Sequence, residues 1–264
     1  LRASLLDRAG GNPFFLEELA SLVGHDDLAR RELPDTLRGL LAARIDSLTA
    51  DEQATLEDAS VWGPEGPILA LQRLAEATRG HSDVPSIVAS LRDKEVLAFD
   101  TEQWSFRSDL VREVAYSRLT KRDRLSRHLG IASALEGMKA SGSIEDSYVD
   151  TVARHYVEAA RLARDVGAAG SDRHLEERAL RWVSEAARRA ADAASWPQLE
   201  RLCTSGLDLL GDEDEPEGPP PDSGEDSDAG GSAATVLGLL LLRAEARSQM
   251  WEPDGAFADA SRAR

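Results

Sequence analysis

The chain has 264 residues, a net charge of −17 and one cysteine, Cys203. Its length allows two domains, or one domain and an extended array, and its acidity disfavours generic polyanion binding, which draws its affinity from phosphate neutralisation. A lone cysteine closes no internal disulfide, and the longest apolar run, 236–242, falls well short of the ~20 residues a membrane span needs. No membrane contact and a cytoplasmic location are therefore expected.

In chain order, LRASLLDRA suggests a short helix that Gly10 and Gly11 end, since glycine accepts positive φ. Asn12 is a favoured N-cap, and Pro13 at the first helical position sacrifices no hydrogen bond. Phe14, Phe15, Leu16 and Leu19 then form an apolar stripe. LPDTLRGLLAARIDSL places Leu37, Leu40, Leu41, Ile45 and Leu48 at helical spacing after Pro34 and Asp35. Thr49 caps DEQATLEDASVWG, WGPEGP breaks the pattern, and ILALQRLAEA and DVPSIVASLRDKEVL read as two further helices. Around Asp100-Thr101-Glu102, VLAFD and QWSFR alternate apolar and polar residues, which predicts a two-stranded hairpin. Three helices followed by such a hairpin give the order of a winged-helix domain.

Helices resume with DLVREVAYSRL and KRDRLSRHLGIASALEGM, and from 144 onward the chain is Ala-rich helix. Residues 211–232 are expected to be disordered, because they hold acids, Pro, Gly and Ser without one large apolar residue. Nine acids and no base lie between 212 and 228, so more than half of the net charge is concentrated there. RAADAASWPQLERL resembles RAEARSQMWEPDGAF at an offset of 54 or 55; without the insert, that approaches the period of a tetratricopeptide helix pair. Ala190, Ala194, Ala244, Ala246, Ala256 and Ala260 are expected to let paired helices approach closely. The expected fold is mainly α: a helical lid segment (1–48), a winged-helix-like domain (49–137) and tetratricopeptide-like repeats (144–264). The chain opens on Leu1 and ends in a helical pattern, so a segment of a longer polypeptide is expected.

Chemistry-bearing motifs are sparse. No G-x-x-x-x-G-K-[ST], H-E-x-x-H or paired C-x-x-C occurs, and the five histidines are scattered singly. Neither catalytic residues nor a metal site is expected. Residues 107–128 carry seven cations, among them Arg107, Arg112, Arg118 and Arg127, against three acids. They form either a surface for phosphate or an acidic partner, or a charged helix face.

GGNPFFLEEL, then LPDTLRGLLAARIDSLTADEQATLEDASVWG, then WSFRSDLVREVAYSRLTKRDRLSRHLGIASALE resemble the signal-transduction ATPases of the STAND class. They look in particular like bacterial regulators that join an AAA-type ATPase core to class III nucleotide cyclases or LuxR-type DNA-binding domains. The resemblance covers about residues 1–137. It implies that Gly11, Asn12 and Pro13 form the lid turn that lies against bound nucleotide, with ATP or ADP and Mg held by an upstream core of the same polypeptide. Relatives commonly carry a histidine at the start of the helix after the wing, where it is a candidate phosphate sensor. This chain has Arg107-Ser108 there, and Ser108 carries no charge. The implied function is a non-catalytic regulatory segment that relays nucleotide state and engages protein or peptide partners through its repeats, without nucleic acid. Two alternatives are a winged-helix DNA-binding module with a helical dimerisation tail and a tetratricopeptide scaffold.

Overall fold

The structure is a computed structural model that describes residues 35–80, 83–100, 102–140, 148–167, 172–210 and 227–263. The opening joint, with Gly11, Asn12 and Pro13, lies outside the described residues, as do positions 211–226 of the acidic stretch. Two compact units divide between Ala134 and Leu135.

The first unit contains α1 (Asp35–Asp46), α2 (Ala50–Trp62), β1 (Glu65–Pro67), α3 (Ile68–Arg79) and α4 (Val84–Asp93). β2 (Leu97–Phe99), β3 (Gln103–Phe106) and α5 (Asp109–Arg118) follow, and α6 (Lys121–Ala140) crosses the division. Local chemistry sets the helix starts. Thr49 caps α2 through a capping box, its Oγ1 accepting from Glu52 N at 3.3 Å while Glu52 Oε2 accepts from Thr49 N at 2.7 Å. Asp83 caps α4, and Pro85 stands in its first turn. The expected hairpin is present, but it carries a third antiparallel strand in the order β1-β3-β2, with Gly66 opposite Trp104. That strand comes from WGPEGP, which was expected only to break the helical pattern. Helix, strand, helix, helix, hairpin is the element order of a winged helix. The core gathers Leu56, Leu71, Leu74, Leu91, Leu97 and Trp104, all almost fully buried. Gly130 brings α6 against Leu74 of α3, where an added Cβ would stand 2.9 Å from a leucine methyl.

The second unit contains α7 (Val149–Val166), α8 (Asp172–Asp192), α9 (Trp196–Leu210), α10 (Ser227–Gln249) and α11 (Pro253–Arg262). Each helix packs on the next, and α7 also meets α9, as α8 meets α10. α7 and α8 are strongly amphipathic in sequence, and they bury Val152, Tyr156, Ala160, Val183 and Ala187 against one another and their neighbours. Glu136 ties the end of α6 to this unit: Tyr156 Oη donates to it at 2.6 Å, Arg181 at 3.0 Å, and Arg178 also bonds to it.

Three expectations need correction here. α10 begins at Ser227, so the acidic insert stops before 232; its last residues join a long helix whose apolar body is 236–242. The helical repeat is spaced by 57 residues instead of 54 or 55. In the turn after α8, the N–H groups of Ala193, Ala194 and Ser195 donate to Arg189, Ala191 and Ala190. In the turn after α10, those of Met250, Trp251 and Glu252 donate to Ala246, Ser248 and Arg247, the same pattern 57 positions on. The tryptophans suggested the shorter offset, but Trp196 starts a helix while Trp251 occupies a turn. Of the six alanines, only Ala190 and Ala246 are buried, while Ala194 and Ala260 are exposed.

Candidate functional site

A cleft of about 300 Å³ runs between α7 and α9 in the second unit, with Val183 of α8 at its floor. Helical periodicity builds both walls. Asp150, Arg154, Val157, Glu158 and Arg161 recur on one face of α7, and Gln198, Arg201, Leu202 and Ser205 on one face of α9. Ala153, Val157, Val183 and Leu202 supply apolar surface, and charged groups surround it. Arg161 pairs with Glu158 at 3.0 Å and approaches Asp208 at 3.5 Å. The Gln198 amide donates to Asp150. Burial raises the Asp150 carboxyl above its usual value, against the pull of Arg189 and of the Gln198 bond. Arg201 is exposed, and no carboxylate among the described residues pairs with it. An apolar strip flanked by the Asp150 and Glu158 carboxylates, the Arg154, Arg161 and Arg201 guanidinium groups, one bonded amide and one serine hydroxyl suits an extended peptide better than a reacting small molecule.

The residues singled out in the first unit take structural positions. Ser108 is buried and caps α5, its Oγ accepting from Leu110 N at 3.2 Å. Arg107 is exposed, and its N–H donates to Val96 O across the sheet end at 3.4 Å. Much of the basic stretch is spent inside the unit. Arg118 pairs with Asp46, and Arg127 with Glu57 and, at 3.2 Å, Asp58. Arg124 stacks 4.3 Å from the Tyr116 ring centroid. Asp58 also pairs with Arg79 at 2.6 Å, and burial still raises its carboxyl above the usual range. These contacts favour the charged-face reading over an open phosphate surface.

Cys203 is fully buried, and burial pushes its thiol up to about 12, so it is an unreactive packing group. His128 and His155 are buried in separate units and His174 is exposed. Among the described residues, no group of three or more His, Cys, Asp or Glu is placed to hold a metal ion. No described helix is long and apolar enough to cross a membrane. The α7–α9 cleft was not anticipated from the sequence. Its one available signal was the helical recurrence of charge at 150, 154, 158 and 161, which also marks an ordinary solvated face. Comparison with protein-family models, with curated proteins and with solved structures returns no match.

Proposed function

We infer that this chain is the non-catalytic regulatory part of a STAND-type ATP-binding signalling protein, a winged helix followed by a tetratricopeptide-like arm. The reading unites the three sequence blocks with their order along the chain. The observation that carries it is the helix–strand–helix–helix–hairpin order of the first unit, followed in the second by two helix-closing turns of the same hydrogen-bond pattern 57 residues apart. In this reading nucleotide state in the upstream core biases how the winged helix packs on that core. The arm takes up an extended, carboxylate-bearing peptide in the α7–α9 cleft, where Arg201 supplies an unpaired cation.

The alternative of a DNA-reading winged helix is weakened by the cations of α4. Arg92 pairs with Asp93 at 2.9 Å and lies 5.4 Å from the Phe99 ring centroid, and Lys94 is held by Glu52. The test uses the polypeptide extended upstream of Leu1. It is expected to encode a Walker A motif and to co-purify with ATP or ADP. Pro13→Ala is expected to lower retained nucleotide without lowering the melting temperature. An extended protein without that motif, or one whose nucleotide content ignores Pro13→Ala, would sink the reading.

A further inference from the structure

The turns after α8 and α10 repeat at 57 residues, so the side chains around α10 and α11 have counterparts one repeat back. The space between α9 and α11 is filled from α10. Arg247 donates to Glu200 of α9 at 2.8 Å and to Asp259 of α11 at 3.0 Å. Arg243 donates to Asp259 at 2.7 Å and to Thr204 of α9 at 3.3 Å. Two guanidinium groups tie the walls together. Gly255 makes room for one of them, since a Cβ there would stand 3.0 Å from Arg247 Cδ.

One repeat back, between α7 and α9, that filling is missing. Ala186 and Ala190 of α8 occupy the places of Arg243 and Arg247, and both are buried. The α7–α9 cleft is open where the next interval holds guanidinium groups. The carboxylate, however, is kept. Arg164 of α7 bonds Glu176 near the start of α8 at 2.6 Å, and the charge of Arg189, near its end, acts on Asp150. That antiparallel register sets Asp150 beside Ala190, as Glu200 stands beside Arg247. Gln198, in the place of Gly255, gives Asp150 an amide N–H where Glu200 has a guanidinium. Among the described residues this is the one hydrogen bond its carboxylate accepts, although a carboxylate offers about four lone-pair sites. Burial outweighs both Gln198 and Arg189 and raises the carboxyl, the mark of a charge with too little compensation.

We propose that the Asp150 end of the cleft is a subsite for an arginine side chain, which enters from the bound peptide as Arg247 enters from α10. This subsite rests on the reading of the cleft as a peptide site, and it names what that peptide carries. Arg201 lies one helical turn beyond Gln198 on α9, about 4.5 Å along the axis. Side chains two positions apart on an extended peptide share a face and stand about 6.6 Å apart. An arginine and a carboxylate at that spacing reach Asp150 and Arg201 together. Leu202 stands where Asp259 does in the next interval. The guanidinium therefore meets one carboxylate, and its methylene stem meets an apolar wall.

The probe is the end-blocked fluorescent peptide Ala-Leu-Arg-Ala-Glu-Ala, compared with its citrulline analogue, which keeps the shape and loses the charge. Titrated with the full chain, the arginine peptide is expected to saturate with a Kd on the order of 100 µM. It is expected to bind about tenfold tighter than the analogue. Asp150→Asn is expected to erase that preference, with helix content unchanged by circular dichroism. Ala190→Arg returns a guanidinium from inside and is expected to weaken the arginine peptide by about tenfold or more. Asp150→Asn carries the test where that larger substitution disturbs the fold. Equal binding of both peptides that Arg201→Ala still weakens overturns the subsite and leaves the peptide cleft standing. A preference for arginine that survives Asp150→Asn overturns it as well, because the cation then sits elsewhere. Saturation by neither peptide up to ~1 mM overturns the subsite together with the peptide reading.

Discussion

Glu95, Ala194 and Trp251 take φ of 55°, 52° and 63°, a left-handed backbone that usually falls to glycine. All three close a helix in the same way: three successive N–H groups reach back four, three and five residues, and the middle donor has the positive φ. The hydrogen bonds satisfy the last carbonyls of α4, α8 and α10, and the Cβ at the middle position opposes them. Ala194 is exposed, so nothing but that strain distinguishes alanine from glycine there. Ala194→Gly is expected to stabilise the chain by about 1 kcal/mol, read as a higher urea midpoint with an unchanged slope. Glu52 shows a second residue-scale balance. Burial presses its carboxyl upward, but bonds from Lys94, Ser90 and the Thr49 N–H outweigh it and hold the pKa at about 2, against an ordinary 4.5. A depressed carboxylate contributes stability above the unfolded pKa and loses it as pH falls through the folded one. The window is therefore about pH 4.5 down to about 2. Because Lys94 is 42% exposed, water screens the pair, and a contribution of about 1–2 kcal/mol is reasonable. Glu52→Gln is expected to lower stability by that amount at pH 6. The gap between the two proteins should close as pH falls toward 2, as measured by denaturant unfolding. A gap of constant size would assign the loss to packing.

At the scale of elements, what local chemistry determines was legible in the sequence, and what one element imposes on another was not. The starts of α2 and α4 follow from Thr49 and Asp83, whose caps act within one turn. β1 was missed because three residues, Glu65-Gly66-Pro67, carry no strand signal; the strand exists through pairing with β3. Gly66 reads as a breaker, yet its φ is not positive. Its reason is steric: a Cβ there would fall within 2.8 Å of Trp62 Cδ1, and Trp62 is itself buried. An indole ring that ends α2 cannot give way as a leucine methyl can. Gly66→Ala is expected to cost on the order of 1–3 kcal/mol and to lower the melting temperature. A neutral result would mean that Trp62 has room to swing. The α7–α9 cleft was hidden for a related reason, since Val183 reaches its floor only through the stacking of α8 beneath both walls. Small residues misled in the opposite direction. Ala256 and Ala260 suggested close pairing, but Ala256 is only half-buried and Ala260 is exposed, and Asp259 is the residue that turns inward to Arg243 at 2.7 Å. A buried bidentate ion pair in an apolar stack leaves little trace in a hydrophobic pattern.

At the scale of the whole molecule, 31 cations face 48 acids, and the placement of the cations matters as much as the ratio. In the first unit Arg79, Arg118 and Arg127 neutralise Asp58, Asp46 and Glu57, and Lys94 neutralises Glu52. In the second, Arg243 and Arg247 serve Asp259, and Arg178 and Arg181 serve Glu136. A DNA-binding winged helix needs the reverse: cations on the reading helix and wing that are free to displace counterions, each phosphate contact adding about −0.9 to the slope of log K against log salt. Here α4 and the hairpin lend little to that term, because Arg92 and Lys94 are both paired. The chain is accordingly expected to give no shift of a random duplex at ~50 mM salt and ~10 µM protein, a concentration at which ordinary non-specific binders are engaged. Releasing Lys94 by Glu52→Gln provides the sharper control. If pairing is what silences α4, that variant should gain weak, salt-sensitive retention while the parent stays unbound. A parent complex whose affinity falls steeply with salt would mean that the exposed cations near the wing, Arg107 first among them, outweigh the global charge, and the nucleic-acid reading would then displace the regulatory one.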